Sequence, residues 1–382
     1  MNHPPTHIFE QTSATLADWC AQRGWPKFRA KQVFDWVYAK GVGDPLAMTN
    51  LKPAEREQLA AEMTFLSGET VAHQVASDGT QKLLIEWSDG ATERRSDEGG
   101  GGAALRVLGG GSGGDPSRQT ECVMIPAENA EGDERRTACI SSQVGCPVGC
   151  KFCASGLGGL DGNLSAGRIV EQVWRLGRLP GVGRISNVVF MGMGEPLSNF
   201  GPVTAAIRRL AAPTDLGGMG ISARKITIST VGLPKAIEKL ADEMELPVTL
   251  ALSLHAPNDA IRRELIPWAN YTSIADLLGA CDKWFQKTGR EITLEYIMLG
   301  GVNDQPRHAE ELAQVARSLR ANVNLIRYNE VAGLPFDRPR TEDVRRFQEI
   351  LREKRVNSHI RASRGRDIAA ACGQLRHEST GT

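Results

Sequence analysis

The chain predicts an α/β fold, a partial (βα)6 barrel preceded by a small N-terminal α+β accessory domain. Three observations carry that reading. From Thr137 onward, short β-rich runs alternate with amphipathic helical stretches, which is the pattern of a parallel sheet with right-handed crossovers. Before Thr137 the order is different, helices first and then two strand-like runs. The length of 382 residues accommodates one large domain and a smaller one. The boundary is placed at 126, with the accessory domain over 1–126 and the barrel with its C-terminal segment over 127–382.

Residues 12–66 read as helical, and FRAKQVFDWVYAK puts Phe28, Val33, Trp36 and Val37 on one face. Strand-like runs follow at 82–87 (KLLIEW) and 121–125 (ECVMI). The Gly-rich insertion at about 90–119 between them has too few large apolar residues to offset its ordering entropy. It reads as a flexible loop, and it lacks the Gly-Lys-Ser/Thr ending that a phosphate-binding loop needs. Six strand candidates then lie at 138–142, 185–191, 225–229, 247–253, 291–298 and 323–327, each followed by a helical segment. In HAEELAQVARSL, for example, Ala309, Leu312, Ala316 and Leu319 form one stripe.

Composition narrows the function. With 41% hydrophobic and 24% charged residues, the chain supports a packed core. No apolar run reaches the length of a membrane span, and the N-terminus has neither the basic start nor the apolar stretch of a secretory signal. A cytoplasmic protein without a membrane partner is expected. Eight cysteines in that reducing setting favour metal binding or catalysis over structural disulfides. Net charge is zero, yet 338–366 carries ten Lys or Arg against four Asp or Glu, and Lys27, Arg29 and Lys31 form a second basic cluster. Each reads as a solvated helix face or as RNA contact.

The sharpest signal is GCPVGCKFC, in which Cys146, Cys150 and Cys153 are spaced C-x3-C-x2-C. Iron–sulfur cubanes usually take four cysteines. Three in one loop imply a [4Fe–4S] cluster whose fourth iron is kept for an exogenous ligand. A structural zinc site would need a second separated pair of ligands, which the sequence lacks. Active sites of parallel barrels form at the C-terminal strand ends, and small polar residues gather there. Gly194 and Glu195 follow the second strand, Ser229 closes the third, Ser253, Leu254 and His255 close the fourth, and Asn329 follows the sixth. Such a set suits a nucleoside with an amino-acid tail, with Glu195 accepting from its ammonium. Cys139, on the first strand, and Cys372, near the C-terminus, read either as a nucleophilic and resolving pair or as small core residues. Cys20, Cys122 and Cys281 read as packing.

From about residue 8 to 376 the chain resembles the RlmN family of dual-specificity RNA methyltransferases and their Cfr relatives, which are radical S-adenosylmethionine (SAM) enzymes. The motifs that carry the resemblance are FRAKQVFDWVY, ECVMIP, ACISSQVGCPVGCKFC, GMGEPLSN, ITISTVG, LALSLHAPND, LEYIML, NLIRYN and RGRDIAAACGQL, in that order. The resemblance implies a radical SAM barrel in which Cys146, Cys150 and Cys153 bind the [4Fe–4S] cluster. It further implies that Gly194, Glu195, Ser229, Ser253, Leu254, His255 and Asn329 contact SAM. By the same resemblance Cys372 is methylated on sulfur and then delivers a methylene fragment, Cys139 resolves the protein–RNA adduct through a transient disulfide with Cys372, and Glu121 accepts a proton.

The implied reaction is methylation of adenosine carbon 2 in 23S rRNA and in the tRNA anticodon region, next to the anticodon, with an electron donor such as flavodoxin or ferredoxin and a monomeric enzyme. Whether Cys139 or Glu121 takes the ring proton is open at this point, and Glu121 also reads as an ordinary strand residue. Two other functions stand beside this one. One is Cfr-type carbon-8 methylation, and the other is an RNA-binding module with structural zinc. Arg327 stands where relatives commonly carry proline, 127–136 is slightly expanded, and the Gly-rich insertion enlarges the accessory hairpin.

Overall fold

The computed structural model describes residues 3–87, 118–128 and 134–375. Most of the Gly-rich insertion and part of the 127–136 expansion lie outside the described residues. The N-terminal part is helical, with α1 (Ser13–Gln22), α2 (Phe28–Phe34) and α3 (Pro53–Glu62). Thr12 caps α1 by accepting from the Thr15 N–H, while Thr15 reaches back to the Thr12 N–H, so two of the helix's orphan donors are satisfied. Val33 and Val37 are buried as the periodicity requires, but Phe28 is 58% exposed. The expectation for Phe28 is corrected here. It is the first residue of its helix, and a π-helical turn over Asp35–Ala39 rotates the following residues off the straight α-helical stripe.

Strands β1 (Gly68–Val75), β2 (Gln81–Trp87) and β3 (Arg118–Glu128) form an antiparallel meander, and β3 pairs antiparallel with β4 (Glu134–Cys139). The division at 126/127 therefore falls inside β3, whose pairs with β4 run from Val123↔Cys139 to Glu128↔Glu134. The first barrel strand lies earlier than 138–142 because its polar ERRT start is the return arm of this hairpin.

After β4 come a small hairpin, β5 (Gln143–Gly145) with β6 (Leu160–Asn163), and then α4 (Ala166–Leu176). The remaining units alternate: β7 (Asn187–Phe190), α5 (Phe200–Ala211), β8 (Ile226–Thr230), α6 (Pro234–Glu243), β9 (Thr249–Ser253), α7 (Asp259–Leu265), α8 (Ile274–Thr288), β10 (Ile292–Met298), α9 (Pro306–Arg317), β11 (Ala321–Arg327), α10 (Thr341–Glu353) and β12 (Ser358–Arg361). Neighbours from β4 through β7 to β12 are parallel, and the sheet runs in the order β1-β2-β3-β4-β7-β8-β9-β10-β11-β12. Six β–α units thus begin at β4, and β12 adds a short edge strand that the sequence pattern did not disclose.

The helices cover one face of the sheet, and burial of Leu250, Leu252, Leu294, Val323 and Leu325 with Phe347 and Leu312 makes one continuous core. Burial of each such aliphatic side chain contributes roughly 1.5–3 kcal/mol. Cys20, Cys122 and Cys281 are fully buried in that core, as packing residues. Among the described residues, no helix is long and apolar enough to cross a membrane.

Candidate active site

The loop between β5 and β6 carries the three cysteines to the C-terminal rim of the barrel, where Cys146, Cys150 and Cys153 line one cleft with Gly194, Glu195, Ser229, Ser253 and His255. Burial raises all three thiols, Cys146 to about 12 and Cys150 well above the ordinary thiol range. Metal ligands must be thiolates, so binding a cluster here releases protons. Three thiols from one loop lining a single cleft are the donor set of a cubane with an open iron, each thiolate on its own iron.

The strand-end residues are held by a network of buried hydrogen bonds. Gly194 has φ +103, and a Cβ there would stand 2.7 Å from Gln143 Cβ and 2.8 Å from Ser142 Oγ, so only glycine fits the turn. That turn orients Glu195, whose carboxylate accepts from the Leu197 N–H at 3.0 Å and the Val231 N–H at 2.8 Å. Burial outweighs those two donors and pushes the Glu195 carboxyl up to about 7. Ser229 and Ser253, ending β8 and β9, share a hydrogen bond of 3.0 Å between their hydroxyls.

His255 adopts a left-handed backbone, φ 58, a conformation costly for a non-glycine residue and common at functional sites. It is fixed by the Asn303 amide donating to its carbonyl at 2.9 Å and the Ile297 N–H donating to Nδ1 at 3.1 Å. Desolvation, with Arg262 adding to it, pushes the imidazole down to about 3. The ring is therefore neutral, and with Nδ1 accepting it carries its proton on Nε2. Leu254 is fully buried and contributes only backbone to this rim. Its N–H donates to the Glu295 carbonyl at 3.1 Å.

Cys372 lines this cleft and also a second chamber, which holds Cys139, Asn329, Arg361 and Arg364. Its surface is open to the cleft, yet protein packed around the sulfur raises the thiol to about 11. Cys139 is buried, and burial pushes it to about 12, with Cys372 adding to the rise and Arg361 opposing it. The Cys372 segment is tied down on the cluster side by the Ala154 N–H donating to the Gly373 carbonyl at 2.8 Å and the Ser155 hydroxyl donating to the Leu375 carbonyl at 2.5 Å. Asn329 does not line the cofactor cleft; its amide donates to the Cys372 carbonyl at 3.3 Å. Glu121 is buried on β3 and pairs with Lys82 at 2.6 Å.

Two arginines were missed by sequence reasoning. Arg262 is fully buried on α7, donating to the Val231 carbonyl at 2.6 Å and the Leu254 carbonyl at 3.3 Å, so it ties together the loops after β8 and β9. Arg361 ends β12 and pairs with Glu295 at 3.7 Å. Neither had a motif to mark it, since one lay in an ordinary helix and the other in a generally basic stretch. That stretch divides in the structure. Arg361 faces the chamber and Arg338 donates to the Tyr328 carbonyl at 2.7 Å, while Arg345, Arg352, Lys354 and Arg355 lie exposed. Arg327, in the proline position, donates to the Thr341 hydroxyl at 2.9 Å.

Comparison with known proteins agrees with this architecture. Residues 140–314 match the family model described as the radical SAM superfamily, and residues 6–65 match that of the ribosomal RNA large subunit methyltransferase N-terminal domain. A relative from Rhodopirellula baltica, named "Probable dual-specificity RNA methyltransferase RlmN", is 41% identical over 97% of this chain and 90% of its own length. One from Salinibacter ruber with the same name is 42% identical over 96% of this chain and 92% of its own. The crystal structure of a radical SAM methyltransferase from Sphaerobacter thermophilus superposes with a TM-score of 0.85 at 38% identity, covering 98% of this chain and all of that one. Radical SAM enzymes work with a [4Fe–4S] cluster and SAM, and the cysteine-lined cleft offers the donors for both. Near-complete coverage at this identity, together with the three-cysteine loop on a partial barrel, shows that the chain belongs to the RlmN family of radical SAM RNA methyltransferases.

Proposed function

We propose that this enzyme methylates carbon 2 of adenosine, in 23S rRNA and in the tRNA adenosine 3′ to the anticodon, by way of an S-methylated Cys372. The observation that carries the reading is that Cys372 lines two chambers at once, one with the cluster cysteines and the other with Cys139. A methyl carrier needs both, one in which to be loaded and activated and one from which to be released.

In this reading Cys146, Cys150 and Cys153 hold the cluster, and Glu195, Ser229, Ser253 and His255 bind SAM. Gly194 and Leu254 act through backbone, and Asn329 joins them when the Cys372 segment moves. When bound, SAM and the reduced cluster supply the methyl for Cys372, the 5′-deoxyadenosyl radical that withdraws one of its hydrogens, and a sink for one electron later. Carbon 2 is electron-poor and offers no lone pair for a polar displacement, whereas a thiomethylene radical on Cys372 adds to it and forms the carbon–carbon bond.

The ring hydrogen then leaves as a proton to Glu121, and one electron leaves with it, restoring aromaticity. Cys139, held as a thiol by its burial, gives up its proton as it attacks the Cys372 sulfur. The sulfur–sulfur bond forms, the sulfur–carbon bond breaks, and the departing carbon takes up the proton that the thiol released, becoming the methyl group. A cellular dithiol reduces the disulfide and closes the cycle. This splits one hard step into easier ones through a covalent intermediate. The target base is unstacked for access, and loops of rRNA and the anticodon arm present such bases. An electron donor of the flavodoxin or ferredoxin type and action in the cytoplasm as a monomer complete the proposal.

The test is mass spectrometry of nucleosides from unmodified 23S rRNA and tRNA incubated side by side with the reconstituted enzyme. The proposal expects 2-methyladenosine from both. An 8-methyladenosine product instead assigns the Cfr-type reaction.

A further inference from the structure

One charged side chain on the inner face of the sheet has no part in the mechanism above. Lys82 is buried at 8% exposure on β2, where an ammonium is costly unless it is paired. The ladder explains which way it points. Lys82 pairs with Val123, Val123 with Cys139 and Cys139 with Val189, so these four form one row across β2, β3, β4 and β7. Directly opposed residues share a face, as do residues two apart on a strand. Lys82, Glu121 and Cys139 therefore all lie on the side of the sheet that lines the chamber.

The Lys82 ammonium has two acceptors. One is Glu121 Oε1 at 2.6 Å and the other is the backbone carbonyl of Ala369 at 3.4 Å, three residues before Cys372. Ala369 is itself in the left-handed region, φ 50, a conformation costly for alanine that persists only where surroundings impose it. The turn joining β1 to β2 grips the same segment. The Ser77 N–H donates to Asp367 at 2.9 Å and the Gly365 N–H donates to Asp78 at 3.0 Å. The 365–369 stretch is thus held by the accessory hairpin, as 373–375 is held by the cluster loop.

We propose that Lys82 is a positioning residue for methyl transfer, its ammonium holding the Glu121 carboxylate on the chamber face while mooring the Cys372 segment above it through Ala369. The inference rests on the reading that Cys372 carries the methyl and Glu121 takes the ring proton. Lys82 sets the distance between those two participants and links the accessory hairpin to the carrier loop. Loading of Cys372 takes place in the cleft on the cluster side and does not involve this link, so the two half-reactions respond differently when the lysine is changed.

The test compares wild-type holoenzyme with Lys82→Met, Lys82→Gln and Lys82→Arg. Three quantities are followed: S-methylation of Cys372 by peptide mass spectrometry, single-turnover transfer from pre-methylated Cys372 to RNA, and amide hydrogen exchange across 365–372. For Lys82→Met the expected result is S-methylation within about threefold of wild type, with transfer slowed by about tenfold or more and exchange in that segment accelerated about tenfold. Lys82→Arg recovers both, and Lys82→Gln, which keeps a donor without the charge, recovers the exchange protection but not the transfer rate.

Wild-type transfer and exchange in Lys82→Met overturn the proposal. So does an equal loss of both half-reactions in Lys82→Met and Lys82→Gln, the mark of general structural damage. If wild-type enzyme never carries a methyl on Cys372, the functional reading is what fails, and the exchange data still decide whether Lys82 moors the segment.

Discussion

The side-chain amide of Asn329 donates to the backbone carbonyl of Cys372 at 3.3 Å while its oxygen accepts from Arg338 at 3.0 Å. This residue, expected among the cofactor contacts, tethers the C-terminal segment in the structure described, and Arg338 fixes which way its amide faces. A part-buried hydrogen bond of this kind contributes about 0.5–1.5 kcal/mol.

Asn329→Ala removes the tether and leaves the cluster loop intact. Turnover on RNA is expected to fall by roughly two- to thirteenfold, the factor that such a bond's energy corresponds to. Hydrogen exchange of 370–373 rises in parallel, and a steady-state assay with that exchange measurement checks both.

In the proposed mechanism Cys139 supplies the sulfur that releases product, and Cys139→Ala removes it. A covalent RNA–protein species is expected to accumulate and to be absent from the Cys139→Ala, Cys372→Ala double variant. Denaturing gel electrophoresis with labelled RNA reads this directly. A single variant that turns over normally without an adduct removes both cysteines from the mechanism.

The raised carboxyl of Glu195, at about 7, has consequences of definite sign. In the folded protein it holds its proton to higher pH than in the unfolded chain, where a glutamate titrates near about 4.3. Stability of the protein without its cofactors is therefore expected to decline as pH rises from about 4.3 to about 7 and to level off above that. With the Glu195 carboxylate accepting from the SAM ammonium, as proposed, affinity is expected to strengthen from pH 6 to pH 7, below the range in which the ligand's own amine loses its proton. Glu195→Gln flattens that dependence in equilibrium binding across the same range.

Local spacing made part of this site legible in the sequence. Three cysteines within eight residues declare a cluster loop without any knowledge of the fold, and small polar residues after the second, third, fourth and sixth apolar runs mark strand ends. What escaped notice depends on long-range pairing. β1 is exposed at every position but Gly68, so no apolar alternation announced it, and β12 is too short to stand out. Lys82 opens the strand-like run KLLIEW, and nothing in that spacing shows that it faces the chamber; registry with β3 and β4 does. Arg262 and Arg361 act through backbone carbonyls and a buried carboxylate contributed by distant strands, and no spacing rule encodes that.

Isotopic labelling follows the new methyl group through the Cys372 sulfur, where the proposed mechanism carries it as a radical. Enzyme whose Cys372 has been loaded with a fully deuterated methyl is given unlabelled SAM, reductant and RNA. The expected product methyl has lost one deuterium, which is recovered in 5′-deoxyadenosine. A product that keeps every deuterium, or one that carries none and takes its methyl from the unlabelled SAM, contradicts the mechanism.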